Sequence, residues 1–223
     1  MTEDESELPR RRWSPWGVLA LVMLSGLAMI RNGADVGDGP PQPTAAAAVS
    51  ASEAPAPGVS APADPAAPVQ ELDHSSVQRI RIPAIRVDAP VMTVGLDAQG
   101  WVDAPPAEES NLAGWYLNGI SPGQRGSSVI VGHVDNATGP AVFYGLGSLR
   151  KGHRIEVERY DGRTAVFEVY GVEVFSKDTF PGSRVYGDTG RPELRVITCG
   201  GGYSKAKGYD GNVVVFARMV EAR

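Results

Sequence analysis

Between Val77 and Arg223, apolar and polar residues alternate over short runs, as in Val77-Gln78-Arg79-Ile80-Arg81-Ile82 and Arg154-Ile155-Glu156-Val157-Glu158. A period of two places every second side chain on one face, the pattern of a half-buried β-strand. RIEVERY is followed by Asp161-Gly162 and then by RTAVFEVYGVEVF, which predicts a hairpin turning at Asp161-Gly162. Further strands are predicted at Ser127–Val131, Leu194–Thr198 and Asn212–Met219. Helical periodicity is weak, and one short helix is expected within Ala141–Leu149. Many short strands with Gly and Pro punctuation predict a single all-β barrel or sandwich over residues 77–223.

The residues before Val77 follow two other patterns. Trp16–Ile30 carries no charged residue and is preceded by Arg10–Arg12. Counted from Trp13, an apolar helix there is about 27 Å long, close to a hydrocarbon core of about 30 Å. The expectation is a single-pass signal anchor over residues 13–31, with 1–12 in the cytoplasm and everything downstream outside. A cleaved signal peptide is the competing reading. It lacks a small-x-small site directly after the apolar run, where Arg31 and Asn32 follow. Residues 32–76 contain 24 Ala, Pro or Gly and no aromatic side chain, so they bury too little to offset ordering and are expected to form a disordered linker.

Composition narrows the chemistry. A net charge of −5 with mixed signs and no basic stripe argues against nucleic-acid binding. One cysteine excludes an intramolecular disulfide and any cysteine-based metal cluster. His74, His133 and His153 stand in dissimilar contexts, so neither a metal nor another cofactor is expected.

Two strand ends carry candidate chemistry. Ser127–Val131 leads into Gly132-His133, and Leu194–Thr198 leads into Cys199, followed by three glycines. A thiol titrates near 8.5, so little of it is nucleophilic at neutral pH without help. A neighbouring imidazole can take its proton and later return one to a leaving amine. The glycines after Cys199 are expected to leave room for a substrate backbone. The alternative is a small core cysteine and a turn histidine. A free thiol kept in an exported chain is exposed to oxidation, which favours use over accident. His153 and Asp135 are read as turn residues, His74 as solvated, and Trp115 and Tyr116 as core or groove wall.

The series IPAIRVDAPVMTVG, GWY…SPGQRGSSVIVGHVD, GPAVFYGLGSLRKGHRIEV and RVITCGGGY…NVVVFA resembles the sortase family, with GHVD and TCGG closest to the actinobacterial type called class F. The resemblance covers Val77 to about Val220. It implies an eight-stranded β-barrel with short helices, borne on the membrane helix and linker. It also implies a cysteine transpeptidase with a Leu-Pro-x-Thr-Gly-like sorting signal on client surface proteins. Cys199 would form a thioester, and His133 would act as general acid and base. The acceptor amine would come from a peptidoglycan precursor or a pilin lysine, with water as the slower alternative.

The family's third residue, an arginine, has no direct counterpart. Asn212, thirteen residues after Cys199, stands at its position and can donate one hydrogen bond to an oxyanion, without an arginine's charge. Arg195 shares a strand face with Cys199 but lies roughly 13 Å away along the strand. Arg184 and Arg191, in the preceding loop, are further candidates. Two other functions stay open: a cysteine endopeptidase acting by hydrolysis alone, and an inactive adhesion or scaffold barrel on a membrane stalk.

Overall fold

A computed structural model describes residues 39–50 and 69–223. The predicted anchor lies outside the described residues, among which no helix is long and apolar enough to cross a membrane.

Among the described residues there are ten strands: β1 Val77–Ile82, β2 Val87–Val94, β3 Ala113–Tyr116, β4 Gly126–Gly132, β5 Asp135–Asn136, β6 Gly139–Pro140, β7 Arg154–Arg159, β8 Thr164–Ser176, β9 Pro192–Ser204 and β10 Gly208–Ala222. Eight of them close into a barrel in the order β1-β2-β3-β4-β9-β10-β8-β7, while β5 and β6 form a separate small hairpin. The all-β barrel expected from the alternation is therefore present. Ser127–Val131, Leu194–Thr198 and Asn212–Met219 each lie inside an observed strand, and the two hairpin runs extend one residue past β7 and β8 at the turn.

The period-two pattern explains the core. Ile80 and Ile82 of β1, Ile155 and Val157 of β7, Leu194 and Val196 of β9, and Val213 and Val215 of β10 all point into the barrel, with Trp115, Phe143 and Phe167 filling it. The β7–β8 hairpin turns at Asp161-Gly162, where Gly162 adopts φ 80°. The region expected as a short helix, Ala141–Leu149, contains only a 3₁₀ turn at Leu146–Ser148. A helix that the periodicity did not indicate, α1 Gly182–Tyr186, packs on the outside of the barrel.

Parts of the 32–76 segment, assigned to a disordered linker, are packed on the barrel. Ala45–Ala47 form a 3₁₀ turn with Ala47 buried. The Val49 amide donates to Glu173 of β8 (3.0 Å), and Lys151 donates to the Ser50 hydroxyl (2.6 Å). Leu72 is also buried, and its amide donates to the carbonyl of Gly123 (2.9 Å). Composition underestimated these stretches because small Ala and Val side chains bury well when a glycine faces them. The Val49 side chain lies where a Cβ on Gly171 would be. Residues 51–68 of the same segment lie outside the described residues.

Candidate active site

Strands β4 and β9 are parallel neighbours, in register Ile130↔Val196 and Val131↔Ile197. Continued by two residues, that register sets His133 beside Cys199. Alternation then puts both on the outer face of the barrel with Val131 and Ile197. Two side chains that are far apart in sequence are thus delivered to one point by two strand ends.

The residue before each of them fixes that point. The Thr198 hydroxyl, buried, donates to the Gly132 carbonyl (2.8 Å) and ties the ends of the two strands together. A Cβ on Gly132 would lie 2.7 Å from Phe143 and 2.7 Å from Val142, so only glycine fits between strand and core. The Gly-His and Thr-Cys pairs noted in the sequence are therefore as much about packing as about chemistry.

His133 is half-buried, and its Nε2 lies 2.7 Å from the carbonyl of Pro105, in the loop joining β2 to β3. A carbonyl only accepts, so Nε2 carries the proton in this contact. In the neutral ring the other nitrogen, Nδ1, is then the free base. Asp135 does not orient the imidazole. It accepts a hydrogen bond from Tyr209 (2.5 Å), which joins the β5–β6 hairpin to the β9–β10 hairpin. Burial and the Asp135 carboxylate both push the Tyr209 phenol well above its ordinary range.

Cys199 and His133 line one cavity of about 390 Å³ together with Asn212, Trp101, Tyr186 and Lys177. Val131 and Ile197 supply apolar floor, and Val102 and Ala104 apolar wall. The two enclosing loops meet through an edge-to-face contact of Trp101 with Phe180 at 5.6 Å, and Phe180 in turn stacks near Tyr186 at 5.8 Å. The volume falls within the few hundred cubic ångströms of small-ligand sites, and the lining is mostly apolar with a few polar groups, as such sites usually are. A larger hollow of about 510 Å³, near Arg86 and Asn111, contains neither Cys199 nor His133.

Asn212 is the cross-strand partner of Cys199, half-buried on the next strand. Arg195, the candidate arginine for oxyanion or substrate binding, is fully buried. It does share the outer face of β9, but α1 covers it completely. Its guanidinium pairs with Glu193 (2.7 Å), donates to the Val185 carbonyl (3.0 Å) and lies over the Phe216 ring at 4.8 Å. Burial would raise the Glu193 carboxyl, but Arg195, Arg191 and the Tyr170 hydroxyl outweigh it and hold that carboxyl below the ordinary carboxylate range. Arg191 is bound to the same Glu193 (2.7 Å), and Arg184 to Glu173 (2.6 Å), so neither is held in reserve for the cavity.

The glycines after Cys199 also serve another purpose than expected. A Cβ on Gly200 would meet Val213 at 2.5 Å, and Cβ atoms on Gly201 and Gly202 would meet the Asp210 carboxylate at 2.5 Å and 2.8 Å. They let β9 and β10 pair closely past the thiol, and the Gly202 amide donates to Asp210 (2.7 Å). Of the remaining residues, Trp115 is core, His74 is exposed, and His153 accepts the Arg150 amide within a turn (3.2 Å). Sequence reasoning missed Trp101, Tyr186 and Lys177, which stand on irregular loops or beside them.

The arrangement can perform nucleophilic acyl chemistry: a thiol, an imidazole on the adjacent strand, an amide side chain opposite, and an apolar groove. Residues 80–220 match the model of the sortase domain family. No curated protein sequence matches the chain. Among solved structures the fold is similar to sortase C1 of Streptococcus agalactiae, with 17% identity, a TM-score of 0.51, and coverage of 66% of this chain and 70% of that one. It is similar to the sortase SrtA of Actinomyces oris at 21% identity and a TM-score of 0.50, covering 71% and 88% of the two chains. A lid mutant of sortase A from Corynebacterium diphtheriae matches at 20% identity and a TM-score of 0.51, over 67% and 73%.

Proposed function

Because the chain belongs to the sortase family, we propose that it is a membrane-anchored transpeptidase of the class F kind, using Cys199 as nucleophile and His133 as acid and base. The sulfur attacks the carbonyl carbon before the scissile bond of a Leu-Pro-x-Thr-Gly-like signal. A C–S bond forms and the carbonyl π pair moves to oxygen. Collapse of that oxyanion breaks the C–N bond, and His133 delivers a proton to the departing amine. An envelope amine, from a peptidoglycan precursor or a pilin, then gives up a proton to His133 and displaces the thioester. The catalytic barrel works outside the cell, tethered by residues 13–31. Client proteins are surface proteins carrying the signal at their C-termini.

The observation that supports this reading is the pairing of β4 with β9, which leaves His133 and Cys199 on one cavity wall. Asn212, the cross-strand partner of Cys199, offers a neutral donor on the same cavity wall. The test is to incubate the full chain with a panel of Leu-Pro-x-Thr-Gly-type peptides and an amine such as triglycine, and to resolve products by mass. A transfer product formed with the amine, absent from Cys199→Ala, is expected. Hydrolysis alone in excess amine would favour the endopeptidase reading, and no turnover of any peptide would favour the scaffold.

A further inference from the structure

The reaction proposed above places negative charge in the cavity twice, on the sulfur and on the carbonyl oxygen. Asn212 offers a dipole but no charge. The buried Arg195 is committed to Glu193, and Arg184 and Arg191 are paired elsewhere. The cavity lining also contains two carboxylates. Asp97 is occupied by the amides of Gln99 and Trp101, each at 2.9 Å, and Asp178 is exposed. A like charge nearby raises the cost of forming an anion. Beyond the proton that His133 carries in turn, a site with this lining and no fixed cation would oppose its own chemistry.

One cation does line it. Lys177 is the single Lys or Arg among the lining residues. Its amide donates to the Asp210 carbonyl (2.9 Å), which extends the β8–β10 ladder one step past Gly211↔Ser176 and fixes its backbone. Among the described residues no hydrogen bond or ion pair engages its ammonium, and the residue is exposed. Cys199, Asn212 and Phe175 stand side by side on β9, β10 and β8. At about 4.8 Å per strand and 3.3 Å per residue, the Cα atoms of Lys177 and Cys199 are roughly 12 Å apart. An extended lysine covers about half of that, and an acyl oxygen on the sulfur projects into the remainder.

We propose that Lys177 and Asn212 divide the work of one arginine, Lys177 supplying the positive charge and Asn212 the fixed hydrogen bond to the oxyanion. This rests on the transpeptidase reading for its catalytic consequence, but not for the placement of the ammonium beside the thiol. The two are tested separately on the full chain. The first measurement compares alkylation of Cys199 by iodoacetate, an anion, and by neutral iodoacetamide. Lys177→Met is expected to lower the iodoacetate-to-iodoacetamide rate ratio several-fold, and Lys177→Arg to restore it. An unchanged ratio in Lys177→Met overturns the placement, whatever the enzyme's substrate.

The second measurement uses a Leu-Pro-x-Thr-Gly-type peptide that the wild type turns over. Lys177→Met is expected to lower kcat by about 10²-fold, the scale for loss of one oxyanion-stabilising group. KM should change little, and Lys177→Arg should recover most of the loss. A loss confined to KM, or a Lys177→Arg variant no better than Lys177→Met, overturns the catalytic role. Failure of the wild type to turn over any peptide would count against the transpeptidase reading itself, with the alkylation ratio still deciding the placement.

Discussion

Thr198 donates its hydroxyl to the carbonyl of Gly132 across 2.8 Å, and these two residues immediately precede Cys199 and His133. The bond locks the ends of two parallel strands one step before each presents its side chain to the cavity. Thr198→Val keeps the shape and removes the donor. It is expected to cost about 1 kcal/mol in chemical denaturation. The larger effect should be on the rate of acyl-enzyme formation, since a displacement near 1 Å at reacting groups can cost about 10²-fold. Thr198→Ser should retain both. A Thr198→Val variant of undiminished rate would mean that the strand ends are aligned by other contacts.

The barrel was legible in the sequence because a strand with one buried face writes its burial into every second residue. The alternations in β1 and β7, and the Asp161-Gly162 turn, carried that information openly. The two strand ends at His133 and Cys199 were legible for the same reason. What could not be read was the covering of the outer face. Arg195 has the right parity to face the thiol, and nothing in the local sequence announces that α1 roofs it over. Lys177, Trp101 and Tyr186 reach the cavity from loops, turns or a helix end whose paths no periodicity encodes. The docking of residues 40–50 meets glycines at 147 and 171, each more than a hundred residues away from the residue it faces.

Asn212 pairs directly with Cys199 across the β9–β10 ladder. If its amide holds the oxyanion, Asn212→Ala should slow acylation by at least about tenfold, or roughly 1.4 kcal/mol in the barrier. Peptide binding should change little. The comparison is made by single-turnover kinetics at saturating peptide. An equal loss of binding and rate would assign Asn212 to substrate holding instead.

Glu193 and Arg195 form a fully buried ion pair beneath α1, with Arg191 and Tyr170 on the same carboxylate. Glu193→Gln leaves Arg195 buried without its counter-charge and is expected to cost about 3–5 kcal/mol. The sign of the pH dependence follows from the lowered carboxyl. A folded-state value below the unfolded one stabilises fully above the unfolded value, near 4 for an ordinary carboxyl. That contribution is lost as pH falls through the lower, folded value. The stability difference between wild type and Glu193→Gln should therefore be constant near neutrality and shrink in strong acid. Melting curves taken at stepped pH measure it, and a gap that persists unchanged in acid would contradict the assigned ion pair.

The segment 40–50 is seated on the barrel through Val49, whose side chain occupies the space over Gly171. Gly171→Ala should displace it and expose residues 40–50 to protease, at a stability cost of about 1–3 kcal/mol. In a chain lacking residues 40–50 the same substitution should be nearly neutral. The double-mutant cycle isolates the contact. Equal costs in both backgrounds would place the effect within β8 itself.

The central claim is that Cys199 carries the acyl group with His133 beside it. The most direct measurement is intact-mass analysis of the full chain, quenched in acid within the first turnover of a Leu-Pro-x-Thr-Gly-type peptide. The expected result is one adduct with the mass of the fragment ending in threonine, mapped to Cys199 and released by hydroxylamine. It should be absent from Cys199→Ala and formed far more slowly in His133→Ala. Peptide cleavage that proceeds in Cys199→Ala, or an adduct mapping to another residue, would contradict the account.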